Sequence, residues 1–338
     1  MFGPMLRRLA LGVTNILVTL LGLVALTFFI GRMLPTDPVI SILGELATKE
    51  SYEALYLKLG LDQPLSVQFL TYLSSVAQFD FGTSLSTGAP VLTDIARVFP
   101  ATIELATFAI ILGAGLGVPL GVVAAMYRDS WIDAAARLIG LVTYSAPNFW
   151  LGMMALILFY VTLGWTSGPG RLAVIHDFTH RPVTGFVLLD SAMAGNWDVF
   201  RNAFSHIVLP GSVLGLSSMA YISRMTRSFM AEQLNQEYII TARVKGMSWR
   251  RVVWVHAFRN ALVQILTIVA LSYAFLLEGA VLTETVFAWP GFGRYMTNGL
   301  LNGDMNAVIG CTILIGLIFI TLNLICDALY RILDPRTK

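Results

Sequence analysis

Six stretches of the 338-residue chain contain no Asp, Glu, Lys or Arg: residues 9–31, 105–127, 138–170, 202–223, 260–277 and 305–326. Each supplies the roughly 20 apolar residues needed to cross about 30 Å of hydrocarbon. None alternates polar and apolar residues with a period of two. An isolated strand would also leave its N–H and C=O groups unpaired in lipid, so the spans are expected to be helices. Composition agrees, with 56% hydrophobic and 12% charged residues, far from the values of a soluble domain. The expected fold is an all-α polytopic membrane protein with six transmembrane helices.

Arg7 and Arg8 precede the first run as they would precede a secretory signal. Its 23 uncharged residues exceed the usual h-region and no A-x-A site follows, so an uncleaved first span is expected. Six spans place both termini on one side. Residues 1–8, 127–137, 224–259 and 331–338 on that side carry 14 basic groups, against eight on the longer opposite segments. This density difference assigns both termini to the cytoplasm. The formal net charge of +2 gives no reason to expect nucleic acid as a partner.

Enzymatic and metal chemistry find little support. Cys311 and Cys326 lie on one expected helix about 22 Å apart and cannot bridge. His176 and His180 have i, i+4 spacing, but Pro182 and Gly185 argue for a loop and no metalloprotease glutamate accompanies them. There is no G-x-S-x-G, no C-x-x-C and no G-x-x-x-x-G-K-[ST] phosphate loop. No catalytic residue, cofactor or metal ligand is therefore expected on this chain, and any ATP-driven motor must be a partner.

The chain divides into an N-terminus and first span (1–31), an extracytoplasmic helical segment (32–100) and a five-span core (101–338). The core contains an extracytoplasmic loop at 164–204 and a cytoplasmic loop at 224–259. In the first outer segment Tyr52, Leu55, Tyr56 and Leu59 follow helical spacing closed by Gly60. Gln63-Pro64 then opens a second helix carrying Leu65, Phe69, Leu70, Leu73 and Val76. Amphipathic helices of this kind suggest a docking face. The second outer loop reads as irregular, punctuated by Gly168-Pro169-Gly170, Arg181-Pro182 and Gly185.

Within the spans, Gly113, Gly117 and Gly121 offer one helix face without side chains for close helix packing. Pro147, followed by Asn148, interrupts the third run and marks a bend or pathway-lining point. Glu104, Glu278, Glu284 and Asp327 sit at span ends, where an ionised carboxylate needs a partner or water. Asp327 has Arg331 one turn on, whereas Glu104 and Glu278 have no such local partner, and interhelical hydrogen bonding is the expected use of both. Trp289-Pro290-Gly291 places proline and glycine at the two central positions of a type II turn, expected to brace an outer gate.

The cytoplasmic stretch EYIITARVKGMSWRR (237–251) is basic, half-apolar and too patterned for a mere topology signal. Tyr238 to Lys245 reads as a short helix stopped by Gly246, and Ser248 is placed to cap the next helix from Trp249. Such an element is a surface for another protein. On this reading Glu237, Tyr238, Thr241, Ala242, Arg243, Lys245, Gly246, Ser248, Arg250 and Arg251 form the contact, and Ala242 is small because it faces the partner.

These residues also carry a family resemblance. Thr241-Ala242-Arg243-Val244-Lys245-Gly246 followed by His256-Ala257-Phe258-Arg259-Asn260-Ala261 resembles the EAA loop of permease subunits of ATP-binding-cassette importers, in the dipeptide, oligopeptide and nickel permease family. Further similar stretches run in order from Thr36-Asp37-Pro38 through Thr283 to Arg294 and on to Asp334-Pro335-Arg336. Ile240 and Thr241 replace the glutamate and first alanine that name the loop, and Phe258-Arg259 stands where the general pattern has Leu-Pro. The resemblance implies an importer in the bacterial inner membrane with a homologous second permease. It also implies two ATPase subunits carrying ATP and Mg, and an extracytoplasmic binding protein. Small peptides are the first substrate it implies, through the dipeptide-type insertion at 164–204, with nickel chelates, opines or glutathione-like compounds as alternatives. A secondary transporter driven by protons through Glu104 and Glu278 is the competing class.

Overall fold

The structure is a computed structural model that describes residues 2–33, 38–44, 47–179 and 181–333. Among the described residues every regular element is a helix, apart from an isolated bridge between Thr83 and Pro90. The elements are α1 (Phe2–Met33), α2 (Pro38–Leu43), α3 (Lys49–Lys58), α4 (Leu65–Ala77), α5 (Val91–Met126), α6 (Trp131–Ser145), α7 (Asn148–Ala155), α8 (Val174–Thr179) and α9 (Val187–Met193). They continue with α10 (Trp197–Leu234), α11 (Glu237–Val244), α12 (Trp249–Arg251), α13 (Phe258–Gly279), α14 (Val281–Val286), α15 (Phe292–Leu301) and α16 (Met305–Leu333). π-helical turns extend α7 over Leu156–Thr162 and join α12 to α13 over Val252–Ala257.

Among the described residues, four helical stretches are long and apolar enough to cross a membrane: Val91–Met126, Trp197–Leu234, Trp249–Glu278 and Met305–Ile325. A fifth results if Trp131–Thr143 and Asn148–Thr162 are one broken span, since these helices meet at 92°. The third charge-free run is thus not one straight helix. Ala146 and Pro147 are extended (ψ 133° and 136°), and proline has no N–H to continue the α6 ladder. The first run lies within α1, whose described apolar part, Ile16–Arg32, is shorter than the others.

The chain forms two compact units. One comprises residues 1–98 and 295–321. In it α4 lies along α1: Phe28 meets Phe69 and Tyr72 with ring centroids 5.3 and 5.6 Å apart, and Thr27 Oγ1 shares a 3.1 Å hydrogen bond with Tyr72 Oη. Part of the amphipathic face expected to dock a partner is thus occupied by the chain itself, while Leu65 and Leu70 stay exposed. Gly60 stops α3 in the left-handed region (φ 63°). Ser84 Oγ donates to buried Asp304 at 2.6 Å, as does the Ser86 N–H at 3.1 Å, which ties the segment before α5 to the start of α16.

The second unit comprises residues 99–294 and 322–338. Its centre is α10 against α5, brought close by glycine. A Cβ on Gly113 would stand 2.8 Å from Ser218 Cβ, one on Gly117 2.9 Å from the Met219 carbonyl, and one on Gly121 2.5 Å from the Ser223 carbonyl. The glycine stripe therefore serves helix packing. Buried Asp133 of α6 receives both Arg227 Nε (2.5 Å) and a terminal nitrogen (2.7 Å), a bidentate pair that joins α6 to α10. The loop at 164–204 is more ordered than its punctuation suggested, because α8 and α9 form within it and α10 begins at Trp197. Asp190 organises this loop. Its carboxylate accepts from the N–H groups of Val183, Thr184 and Gly185 (3.0–3.1 Å) and from Thr184 Oγ1 (2.6 Å).

Candidate functional site

Three regions of the second unit hold the residues singled out by the sequence. The first is the short helix α11. It ends at Val244 with Lys245 as its C-cap, and Gly246 follows at φ 78°, the left-handed position that only glycine occupies without strain. Ser248 occupies the N-cap position of α12, but its side chain makes no capping hydrogen bond, contrary to the expectation. Arg243 lies over the Trp249 ring at 5.4 Å and joins the two short helices across the glycine turn.

Ala242 does not face outward. With Ile239 it is buried (6% and 2% exposed) in a core formed by Val122, Met230, Val252, Val253 and Ala257. Its small size is thus set by the packing of its own chain. The opposite face of α11 presents Ile240 and Val244, 61% and 82% exposed and one turn apart, flanked by exposed Glu237, Tyr238, Thr241, Arg243 and Lys245. Arg250 and Arg251 are exposed on α12. A helix that seats one face in its own core and leaves two aliphatic side chains outside is unlike a solvated loop.

The second region is a cleft of about 550 Å³ at the break between α6 and α7, closed by α10 and α13. Pro147 and Asn148 line it, together with Thr143, Ser217, Tyr221 and Ser272. Ser217 Oγ donates to Asn148 Oδ1 at 2.5 Å. Hydroxyls and an amide therefore line a cavity among the charge-free runs. The sequence held a signal for these residues in Thr143, Asn148 and Ser217-Ser218, polar but uncharged, and only the packing of α10 on α7 shows which of them converge.

The third region is a hydrogen-bonded knot at the end of α14. Glu284 is fully buried and accepts from Thr102 Oγ1 (2.6 Å) and the Arg294 N–H (3.0 Å). Thr102 Oγ1 in turn accepts from the Phe292 N–H at 2.8 Å. Trp289, also buried, donates Nε1–H to the Ala101 carbonyl at 2.9 Å. Burial raises the pKa of Glu284, and the donors from Thr102, Arg294 and Gly293 oppose that rise.

The expected type II turn is absent. Ala288 is the residue at positive φ (48°), and Gly291 is not. The Gly291 N–H instead bonds to the Trp289 carbonyl at 2.8 Å, the i to i+2 pattern of a γ-turn centred on Pro290. Gly291 is needed for a different reason, because a Cβ there would run into the Glu284 carboxylate. Pro290 supplies the fixed φ of the turn, which sequence reasoning placed correctly in a turn of the wrong type.

Glu104 has the partner that local sequence could not show. Arg171 donates to its Oε2 through Nε (3.0 Å) and a terminal nitrogen (2.5 Å), and the Leu188 N–H donates to Oε1 at 2.8 Å. Both side chains are largely buried, and Arg171 also donates to the Gly185 carbonyl at 2.8 Å. Glu278, in contrast, is exposed on α13, and among the described residues no interhelical hydrogen bond holds it. The Asp327 and Arg331 side chains lie outside the described ones, as does His180. Among the described residues no group of three or more His, Cys, Asp or Glu side chains is placed to hold a metal.

Comparison with known proteins gives consistent results. Residues 117–338 match the family model described as the inner membrane component of binding-protein-dependent transport systems. Residues 5–106 match the model of the corresponding N-terminal region. A probable D,D-dipeptide transport system permease protein of Escherichia coli is 40% identical over 99% of this chain and 97% of its own. A di/tripeptide transport system permease protein of Pseudomonas aeruginosa is 41% identical over 98% and 97%. Among solved structures, the MetNI methionine ABC transporter in an inward-facing conformation shares the fold, with a TM-score of 0.51 at 17% identity over 72% of this chain and 97% of that one. On these matches, and with apolar helices long enough to cross a membrane, the chain belongs to the binding-protein-dependent transport system inner membrane components, a family of multi-pass permeases.

Proposed function

We propose that this chain imports small peptides as one of two homologous permease subunits, coupled to two ATPase subunits and fed by an extracytoplasmic binding protein. The observation that carries the substrate class is the identity of about 40% over nearly the whole chain to relatives named for D,D-dipeptide and di/tripeptide transport. The cleft at the α6–α7 break supports it, since hydroxyl and amide groups suit the polar backbone of a short peptide without binding one sequence tightly. ATP and Mg belong to the partners.

The reading includes six spans with both termini in the cytoplasm, α1 supplying the first and the broken α6–α7 pair the third. In that orientation α11 faces the cytoplasm. Its Ile240 and Val244 would enter a groove of an ATPase, while Ile239 and Ala242 transmit the displacement to the helices α5, α10 and α13 on which they pack. ATP-driven approach of the two ATPases would then rock those helices and alternate access to the cleft. Such coupling requires that the ATPases contact the two states of the permease differently. The knot around Glu284 would hold the outer end of the pathway as a rigid unit.

The test is reconstitution. The complex of this chain with its sister permease, ATPases and binding protein, placed in lipid vesicles, is expected to accumulate a labelled dipeptide only when ATP is supplied on the ATPase side. Accumulation driven by a proton gradient without ATP, or ATP-driven uptake that ignores dipeptides, would overturn the assignment.

A further inference from the structure

A second cavity, about 440 Å³, opens where α6 packs on α10, and three arginines reach it: Arg137 from α6, and Arg224 and Arg227 from α10. The rest of its wall is largely small or apolar, including Ala136, Leu141 and Ala220. Asp133 offsets one of the three positive charges, bound bidentately by Arg227 and standing 3.7 Å from Arg137. Arg224 lies over the ring of Tyr221, 5.8 Å from its centroid, and is exposed. Guanidinium groups gathered around a cavity with apolar walls suit an anion attached to hydrocarbon.

The surroundings fix the kind of anion. Trp131, at the first turn of α6, is 79% exposed and Tyr127 just before it is also exposed, the aromatic pattern found at the level of membrane headgroups. Arg137 stands six residues, about 9 Å of helix rise, further into α6. Beyond it Leu138, Leu141 and Val142 are exposed and lead along α6 away from the aromatic end. The Arg137 guanidinium reaches back one turn to within 3.7 Å of Asp133, so its charge lies toward the aromatic end and the apolar track beyond it, as headgroup and acyl chain do.

We propose that this cavity is a binding site for an anionic phospholipid. Its phosphodiester is held by Arg137 and Arg224, and one acyl chain runs along Leu141 and Leu138. Arg227 is committed to Asp133 and shapes the cavity without leaving that pair. The site requires that the chain span a membrane and does not depend on which solute is carried.

The experiment is native mass spectrometry of the delipidated permease–ATPase complex titrated with phosphatidylglycerol or phosphatidylcholine of identical acyl chains. The unmodified complex is expected to retain the anionic lipid on the order of tenfold more strongly than the zwitterionic one, as two basic contacts at a membrane surface predict. Arg224→Gln and Arg137→Gln together should reduce that preference to within about twofold, and Arg224→Lys, which keeps the charge, should retain it. Arg201→Gln, exposed near the opposite end of α10, should leave it unchanged. If the double variant does not assemble, Arg224→Gln alone is expected to lower the preference by about threefold. Wild-type preference in the arginine-to-glutamine variants would overturn the proposal. So would displacement of the lipid by millimolar glycerol phosphate, which would mark a site for free anions, or a cross-link from position 137 to the sister permease, which would show that face covered by protein.

Discussion

The carboxylate of Glu284 accepts a 2.6 Å hydrogen bond from the hydroxyl of Thr102, 182 residues earlier in the chain. Through that pair the part of α5 around Thr102 and the short helix α14 are fixed to one another inside a single unit. Every direct protein bond described to Glu284 is donated to it, and the main chain at Gly291 passes against it with no room for a side chain.

Gly291→Ala tests this directly. In a type II turn an alanine at the glycine position costs only a modest backbone strain, on the order of 1 kcal/mol. Here a methyl group would displace the Glu284 carboxylate and break its bonds to Thr102 and Arg294, an overpacking and network loss of about 2–4 kcal/mol. The expected outcome is loss of peptide uptake with the complex still assembled, from Gly291→Ala as well as from Gly291→Val. Normal uptake by the alanine variant would show that the knot yields or is not needed.

A pH dependence is expected of the outer loop through Asp190. Burial by itself would raise its pKa, but the Thr184 hydroxyl and the N–H groups of Val183, Thr184 and Gly185 together hold it below the usual carboxylate range. A depressed folded-state pKa contributes stability that is present above the unfolded carboxylate value and is lost as pH falls through the folded one. Amide exchange of residues 183–190 is therefore expected to be slow near neutrality and to accelerate, beyond the intrinsic rate, only as pH falls into and below the carboxylate range. Asp190→Asn should exchange on the order of tenfold faster at neutral pH and lose the excess acid dependence. Equal protection in both proteins at pH 7 would refute the role.

The carboxylates also separate ATP-driven from proton-driven transport, but not symmetrically. Glu104→Gln would leave Arg171 partly buried without its charge partner, at a cost of about 3–5 kcal/mol, so lost uptake in that variant reports on folding rather than on protons. Glu278 is exposed and can be neutralised without that penalty. Uptake by Glu278→Gln is expected to remain near the wild-type rate. Loss of uptake with ATP hydrolysis intact would favour a proton-coupled carrier.

What the sequence made legible follows from the range of each interaction. The helix at 237–244, its glycine stop and the close-packing glycine face of α5 are local patterns, visible as spacing and turn chemistry. The break at Pro147 was legible as a proline in an apolar run, but the 92° between its two arms was not, because local chemistry ends a helix without aiming the next one. The partner of Glu104 is 67 residues away and that of Glu284 is 182, so neither could be found from neighbouring residues. The inward orientation of Ala242 depended on where α5 and α13 lie, and a small residue on a basic helix reads the same whether it faces a partner or its own core.

Orientation in the membrane is tested with single cysteines in a background lacking Cys311 and Cys326. Ser191 lies fully buried, bonded to the Val187 carbonyl, and is unsuitable as an outer reporter. Val183, 84% exposed in the outer loop, and Ser248, exposed beside α11, are suitable. In cells stripped of any outer membrane, a cysteine at Val183 should react with an impermeant thiol reagent, and one at Ser248 should react only after permeabilisation. Reversed labelling would place α11 outside and exclude any contact with cytoplasmic ATPases.

The contact itself is probed on the two faces of α11. Ala242→Glu buries an unpaired charge against Val122, Met230 and Val253, a cost of several kcal/mol carried by this chain alone, so it should lower the amount of folded permease before any ATPase is involved. Ile240→Glu and Val244→Glu place the same charge on the exposed face, where the isolated chain should tolerate it within about 0.5 kcal/mol. If that face seats in an ATPase groove, either variant removes an aliphatic anchor and inserts a charge into the interface, enough to release the ATPases or abolish stimulation of their hydrolysis by loaded binding protein. Co-purification followed by an ATPase assay in lipid measures both, with yield of the permease pair as the folding control. Full assembly and stimulated hydrolysis in the Ile240 and Val244 variants would leave α11 as an internal packing element, with the basic loop around it serving only to set topology.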